Sequence, residues 1–106
     1  MFARKVFMQL KPKSTVELTE RLEKEVIPML RKQKGFLDEI TFVNSEGTQA
    51  FGISLWDNAE NAEAYNHTAY AEVHKILSKL IEGTPKVETY KVLNSTFHKI
   101  AASVAA

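Results

Sequence analysis

The chain reads as an α+β domain of ferredoxin-like order, β-α-β-β-α-β: a four-stranded antiparallel sheet with two helices on one face. Three observations predict this. Period-two alternation recurs in four segments, at Phe2–Lys11, Phe36–Asn44, Thr48–Trp56 and Pro85–Leu93. Two stretches between them carry apolar residues at three- and four-residue spacing, as a sheet-packing helix does. The short Ser45-Glu46-Gly47 connection makes the two central strands a hairpin. Two split βαβ units with right-handed crossovers then close the arrangement.

The first strand sets Val6, Met8 and Leu10 against Phe7, Gln9 and Lys11, and Pro12 ends it. Ser14-Thr15-Val16-Glu17 has the form of a capping box. Behind it Leu18, Leu22, Val26, Met29 and Leu30 form the first helical stripe, and Pro28 inside that stripe predicts a kink. Gly35, after Lys32 and Lys34, suits the residue that closes a helix in the left-handed conformation. In the second strand Phe36, Ile40 and Phe42 share one face, with Leu37 and Val43 on the other. Asp57, with Glu60 three residues on, is placed to cap the second helix. That helix takes its stripe from Ala62, Tyr65, Ala69, Val73, Ile76, Leu77 and Leu80, with a break at Asn66-His67-Thr68 and a stop at Gly83-Thr84-Pro85. In the last strand Val87 and Thr89 oppose Tyr90 and Val92. The tail, 94–106, reads as loose, although Phe97 and Ile100 are apolar enough to dock on a partner.

The third strand is the most informative. Phe51, Ile53 and Leu55 fall on one face; Ala50, Gly52, Ser54 and Trp56 fall on the other. Helices cover only one side of the sheet, so the bulky face is left open unless a second copy covers it. Burying each of its three large side chains is worth roughly 1.5–3 kcal/mol, before association entropy is charged against it. A homodimer is expected. The small face leaves either close helix packing or a cavity over Gly52 and Ser54.

Composition narrows the function. At 106 residues, 44% apolar and 25% charged, the chain is a single ordinary globular domain spanning 1–106. A net charge of +1, with the lysines dispersed, gives no electrostatic case for nucleic acid or an anionic membrane. No apolar run approaches the ~20 residues of a membrane span. The N-terminal MFARKVFMQLK is too short in its apolar part for a signal peptide. Zero cysteines exclude disulfides, thiolate catalysis and Cys-ligated metal, and a cytoplasmic setting is expected. The sequence has no phosphate loop, HExxH, nucleophile elbow or dinucleotide fingerprint.

The candidate residues each carry two readings. Trp56 is either a core residue at a strand end or a pocket wall. His67 and His74, with Tyr70 between them, lie two turns or roughly 10 Å apart. They cannot share a metal, and no metal site is expected; a solvated or structurally bonded pair stands against His67 as a base near neutral pH. Glu63 is one turn before His67 and either holds its imidazole or forms a plain surface pair. His98, in the tail, reads as inert, and Tyr65 reads as core or as a pocket residue.

The segments PMLRKQKGF, SLW, DNAENAEAYNHTAYAEVHK and TYKV resemble the antibiotic-biosynthesis-monooxygenase-type domain of the dimeric α/β barrel superfamily, over about Phe2–Leu93. The resemblance implies a sheet-to-sheet homodimer with a pocket between helices and sheet in each protomer. Some members oxygenate polycyclic aromatic substrates without metal or flavin; others degrade haem, isomerise or bind small molecules, or have no known activity. Trp56 matches the tryptophan lining the pocket in both oxygenating groups. His67 lies near the iron-ligating histidine of the haem degraders, with the spacing from Trp56 off by one. Their first-strand asparagine has no counterpart in Lys5-Val6-Phe7-Met8-Gln9, and Gly52 stands where the quinone-forming oxygenases have asparagine. The expectation is a cofactor-free monooxygenase of a small aromatic or enolic substrate, with Trp56 and His67 as catalytic candidates and Gly52, Ser54, Trp56 and Tyr65 contacting substrate. The alternatives are a non-catalytic small-molecule-binding or structural dimer, and a haem-binding, haem-degrading enzyme.

Overall fold

Four strands form one antiparallel sheet in the order β2-β3-β1-β4. They are β1 (Phe2–Leu10), β2 (Phe36–Val43), β3 (Gln49–Trp56) and β4 (Ile81–Lys91). The structure, a computed structural model, describes residues 1–98. Between β1 and β2 run α1 (Thr15–Arg21), a π-helical segment (Leu22–Val26) and α2 (Ile27–Arg31); α3 (Ala59–His67) and α4 (Tyr70–Leu77) connect β3 to β4. The expected ferredoxin-like order is the observed one.

The helices lie against the face carrying Met8, Leu10, Ala50 and Trp56, which join Leu18, Val26, Leu30, Ala62, Tyr65, Val73 and Leu77 in the core. Trp56 is fully enclosed. Its indole packs edge-on against Phe36 with centroids 5.6 Å apart, and stacks on Tyr65 at 5.0 Å. Such pairs add about 0.5–1.5 kcal/mol beyond area burial. The other face stays open within one chain: Ile40 and Phe42 are exposed, and Phe42 stacks on Phe51 at 4.8 Å.

Several local expectations are corrected. The Ser14 hydroxyl makes no capping bond; its carbonyl instead accepts from the Leu18 amide at 2.8 Å. The irregularity assigned to Pro28 falls one turn earlier, as the π-helical segment. Proline cannot donate to the carbonyl of Lys24 and its ring crowds that carbonyl, so widening the preceding turn accommodates both defects. Gly35 lies beyond the helix end, in the turn entering β2, with φ +81°. A Cβ there would collide with Asp57 Oδ1 and the Asn61 side chain, so both conformation and space require glycine. The cap of α3 is Asn58, whose side chain accepts from the Asn61 amide at 2.9 Å, while Asp57 holds the Asn61 side chain at 2.8 Å.

A register shift between Phe36 and Asp38 changes which residues share a face. Phe36 turns to the helix side with Trp56, while Ile40 and Phe42 face outward beside Ile53 and Phe51. β4 begins four residues before the expected Pro85, because Gly83, at φ +70°, and its neighbours form an irregularity inside the strand rather than a helix stop. In the tail, Ser95 Oγ accepts from the amides of Phe97 and His98, and His98 Nε2 contacts the Asp38 carboxylate. His98 is therefore tied to the edge strand, and Phe97 is exposed. Ile100 lies outside the described residues.

Candidate functional site

Cross-strand register puts two rows of side chains under the helices. One row runs Glu39, Ser54, Arg4, Thr89 across β2, β3, β1 and β4; the next runs Thr41, Gly52, Val6, Val87. Because Ser54 and Gly52 are small, the middle of both rows is hollow. Helical side chains roof the gap: Leu22 and Val26 from the π-helical segment, Leu30 from α2, Tyr65 from α3, and Tyr70, Val73, His74 and Leu77 from α4. The resulting cavity measures about 60 Å³, space for a few waters. A neighbouring cleft of about 210 Å³ between β2 and the first helix shares Leu22, Glu39 and Thr41 with it, so the two spaces adjoin at these residues.

The polar groups stand on opposite sides of Ser54. On one side, burial pushes the Glu39 carboxyl above its ordinary value, partly offset by the hydrogen bond it accepts from the Thr41 hydroxyl. On the other, the Arg4 residue is 3% exposed. Its Nη2 donates to Asn66 Oδ1 at 2.8 Å, and its guanidinium lies 3.9 Å from the Tyr70 ring centroid and 5.3 Å from that of Tyr65. Asn66 Nδ2 in turn donates to Glu63 Oε1 at 3.3 Å. The Tyr65 phenol is pushed up to about 12, chiefly by burial and against the pull of the Arg4 charge.

The predicted residues divide clearly. Gly52, Ser54 and Tyr65 line the cavity. Trp56 does not; it sits behind Tyr65, with Nε1 donating to Ser54 Oγ at 2.9 Å, and so supports the wall rather than forming it. His67 is displaced from the expected role. α3 ends there, its side chain is 73% exposed, and Nε2 meets Glu63 Oε1 at 3.2 Å on the surface. The break at Thr68 (φ −124°, ψ −86°) starts a new helix that turns His74 to the cavity instead. Glu39 and Arg4 were missed by sequence reasoning, yet each left a signal. Counting the hairpin outward from its turn pairs Glu39 with Ser54, and Arg4 has the same parity as Val6, Met8 and Leu10. Among the described residues no cluster of three or more His, Asp or Glu is placed to hold a metal ion, and no helix is long and apolar enough to cross a membrane.

No family model matches the chain, and no curated protein matches it significantly. Solved structures do. The monooxygenase ActVA-Orf6 of Streptomyces coelicolor, in complex with nanaomycin D, superposes with a TM-score of 0.75 at 20% identity, covering 92% of each chain. An antibiotic-biosynthesis-monooxygenase-type protein of Nitrosomonas europaea gives 0.72 at 17% identity, over 89% of this chain and all of that one. A point mutant of MhuD, with two manganese protoporphyrins per active site, gives 0.74 at 14% identity, over 91% of this chain and 98% of that one. The fold is thus that of the antibiotic-biosynthesis-monooxygenase-type structures. A porphyrin does not fit the residues present: the cavity is too small for the macrocycle, and the histidine expected near the iron, His67, lies outside it.

Proposed function

We propose that the protein is a homodimeric, cofactor-independent monooxygenase acting on a small phenol or enol held across the cavity between sheet and helices and the wider cleft that adjoins it at Glu39 and Thr41. The observation that carries this reading is Glu39: a carboxylate that lines both a largely apolar cavity and the wider cleft beside it. A raised carboxyl pKa makes a stronger base for a phenolic or enolic proton. The resulting anion is electron-rich enough to pass one electron to O₂. Recombination of the radical pair forms a carbon–peroxide bond, and loss of water leaves a carbonyl. One substrate CH₂ and one O₂ thus give C=O and H₂O, and the substrate supplies every electron. The chain supplies orientation and an environment that excludes water. Tyr65, backed by Trp56, forms a flat aromatic wall for a ring, and Gly52 and Ser54 leave room beneath it.

The fold supports the same reading, since ActVA-Orf6 is a monooxygenase that shares it. The dimer is supported by the open sheet face, where Ile40, Phe42, Phe51 and Ile53 lie side by side. The direct test is incubation with anthrone or a dihydroxynaphthalene under oxygen, followed by optical spectra. Quinone formation above the buffer rate, lost under nitrogen, is expected. No product above that rate overturns the reading and leaves a binding module.

A further inference from the structure

Arg4 lies in the core as a charge without a counter-charge. It is 3% exposed, cannot shed its proton, and forms no ion pair among the described residues. Its hydrogen bond to Asn66 is to a neutral amide. The cation–π contacts with Tyr70 and Tyr65 offset only part of the cost of taking the ion out of water, and neither ring supplies a counter-charge. The nearer carboxylates are otherwise engaged. Glu63 accepts from Asn66 and meets His67. Glu39 is two strands away, roughly 10 Å between backbones. No fully buried side-chain nitrogen or oxygen lacks a partner among the described residues, so the guanidinium nitrogens that make no hydrogen bond are not sealed in protein, and Arg4 is one of the residues lining the cavity.

We infer that Arg4 is the anion receptor of this cavity, and that its ligand sets a carboxylate or an ionised phenol or enol oxygen against the guanidinium. Asn66 and the Tyr70 ring are positioning groups: one fixes the edge of the fork, the other its plane. This inference deepens the reading of the cavity as a substrate site and makes charge, rather than ring shape alone, the basis of selection. Beyond Arg4, the ionisable groups facing the ligand are Glu39 from β2, Tyr65 from α3, and Tyr70 and His74 from α4.

The test uses benzoate and benzamide, equal in shape and different in charge, with binding read by calorimetry and by Trp56 fluorescence. The intact protein should prefer benzoate by about 30-fold or more, the scale of a desolvated charge pair. Arg4→Met should abolish the preference and Arg4→Lys should retain part of it. As a readout that a merely structural arginine would not move, bound 4-nitrophenol should ionise about one pH unit or more below the free probe, and not in Arg4→Met. Equal binding of benzoate and benzamide, binding of neither, or a preference that survives in Arg4→Met overturns the inference. Should Arg4→Met fail to fold, the two probes on the intact protein and on Arg4→Lys still decide. A benzoate preference without any quinone product would sink the oxygenase reading alone and leave the anion receptor standing.

Discussion

Gly52→Ala should separate stability from function at the cavity floor. Gly52 pairs with Val6 and Thr41 in the middle of the sheet and is not in the left-handed conformation. A Cβ added there meets Glu39 Oε1 and Thr41 Oγ1, each at 3.5 Å, which is ordinary contact. No atom has to move, and replacing glycine inside a strand relieves about 0.5–1 kcal/mol. The urea midpoint should therefore hold or rise. The same methyl projects beside Glu39 into a cavity of only about 60 Å³. A ligand resting on that floor is overpacked, at a cost of about 1–3 kcal/mol, or about five- to 150-fold in affinity. Paired denaturation and benzoate-binding titrations measure both effects on one preparation. A loss of stability above about 1 kcal/mol with affinity unchanged would refute the reasoning, because the space over Gly52 would then be structural.

Three further outcomes follow from the same geometry. Tyr65 is 4% exposed and its phenol is raised from 10.0 to about 12, so its contribution is fully present below 10 and lost as pH rises through the folded value. Tyr65→Phe should escape that loss, and between those limits its unfolding free energy, read from urea titrations, should decline less than the wild type's, by up to roughly 2–3 kcal/mol. His67→Ala, on an exposed surface pair, should leave quinone formation within about two-fold and stability within about 0.5 kcal/mol, checked by product spectra and thermal melting. Ile53→Glu sets a charge in the centre of the open sheet face; sedimentation at micromolar concentration should show the wild type as a dimer and the variant as a single chain.

The fold was legible because its signals are local. Alternation along β3 separates Phe51, Ile53 and Leu55 from Ala50, Gly52, Ser54 and Trp56, and the structure keeps the two sets on opposite faces. The site was less legible, for three physical reasons. The irregularity at Leu37 reverses the parity of Phe36 relative to Ile40 and Phe42, so simple alternation misreads the strand that carries Glu39. A single residue, Thr68, leaves the helical region and exchanges His67 for His74 at the cavity. Arg4 reaches Asn66 across 62 positions of chain, and no local pattern encodes that contact. Trp56 was recognised as a central residue, but its indole finds Ser54 beside it and Tyr65 above, which seals it from the space it was expected to line.

The proposed chemistry depends on a half-buried carboxylate removing a proton from a substrate held between sheet and helices. The pH dependence of oxygen uptake with a dihydroxynaphthalene, in wild type, Glu39→Gln and His74→Asn, measures this directly. Burial raises the Glu39 carboxyl above 4.5, so the wild-type rate should climb with pH through an ionisation higher than that value. Glu39→Gln should cost about 10²–10⁴ in rate and erase that limb, while His74→Asn should keep it. A Glu39→Gln variant with the wild-type rate and the same acid limb would contradict the account.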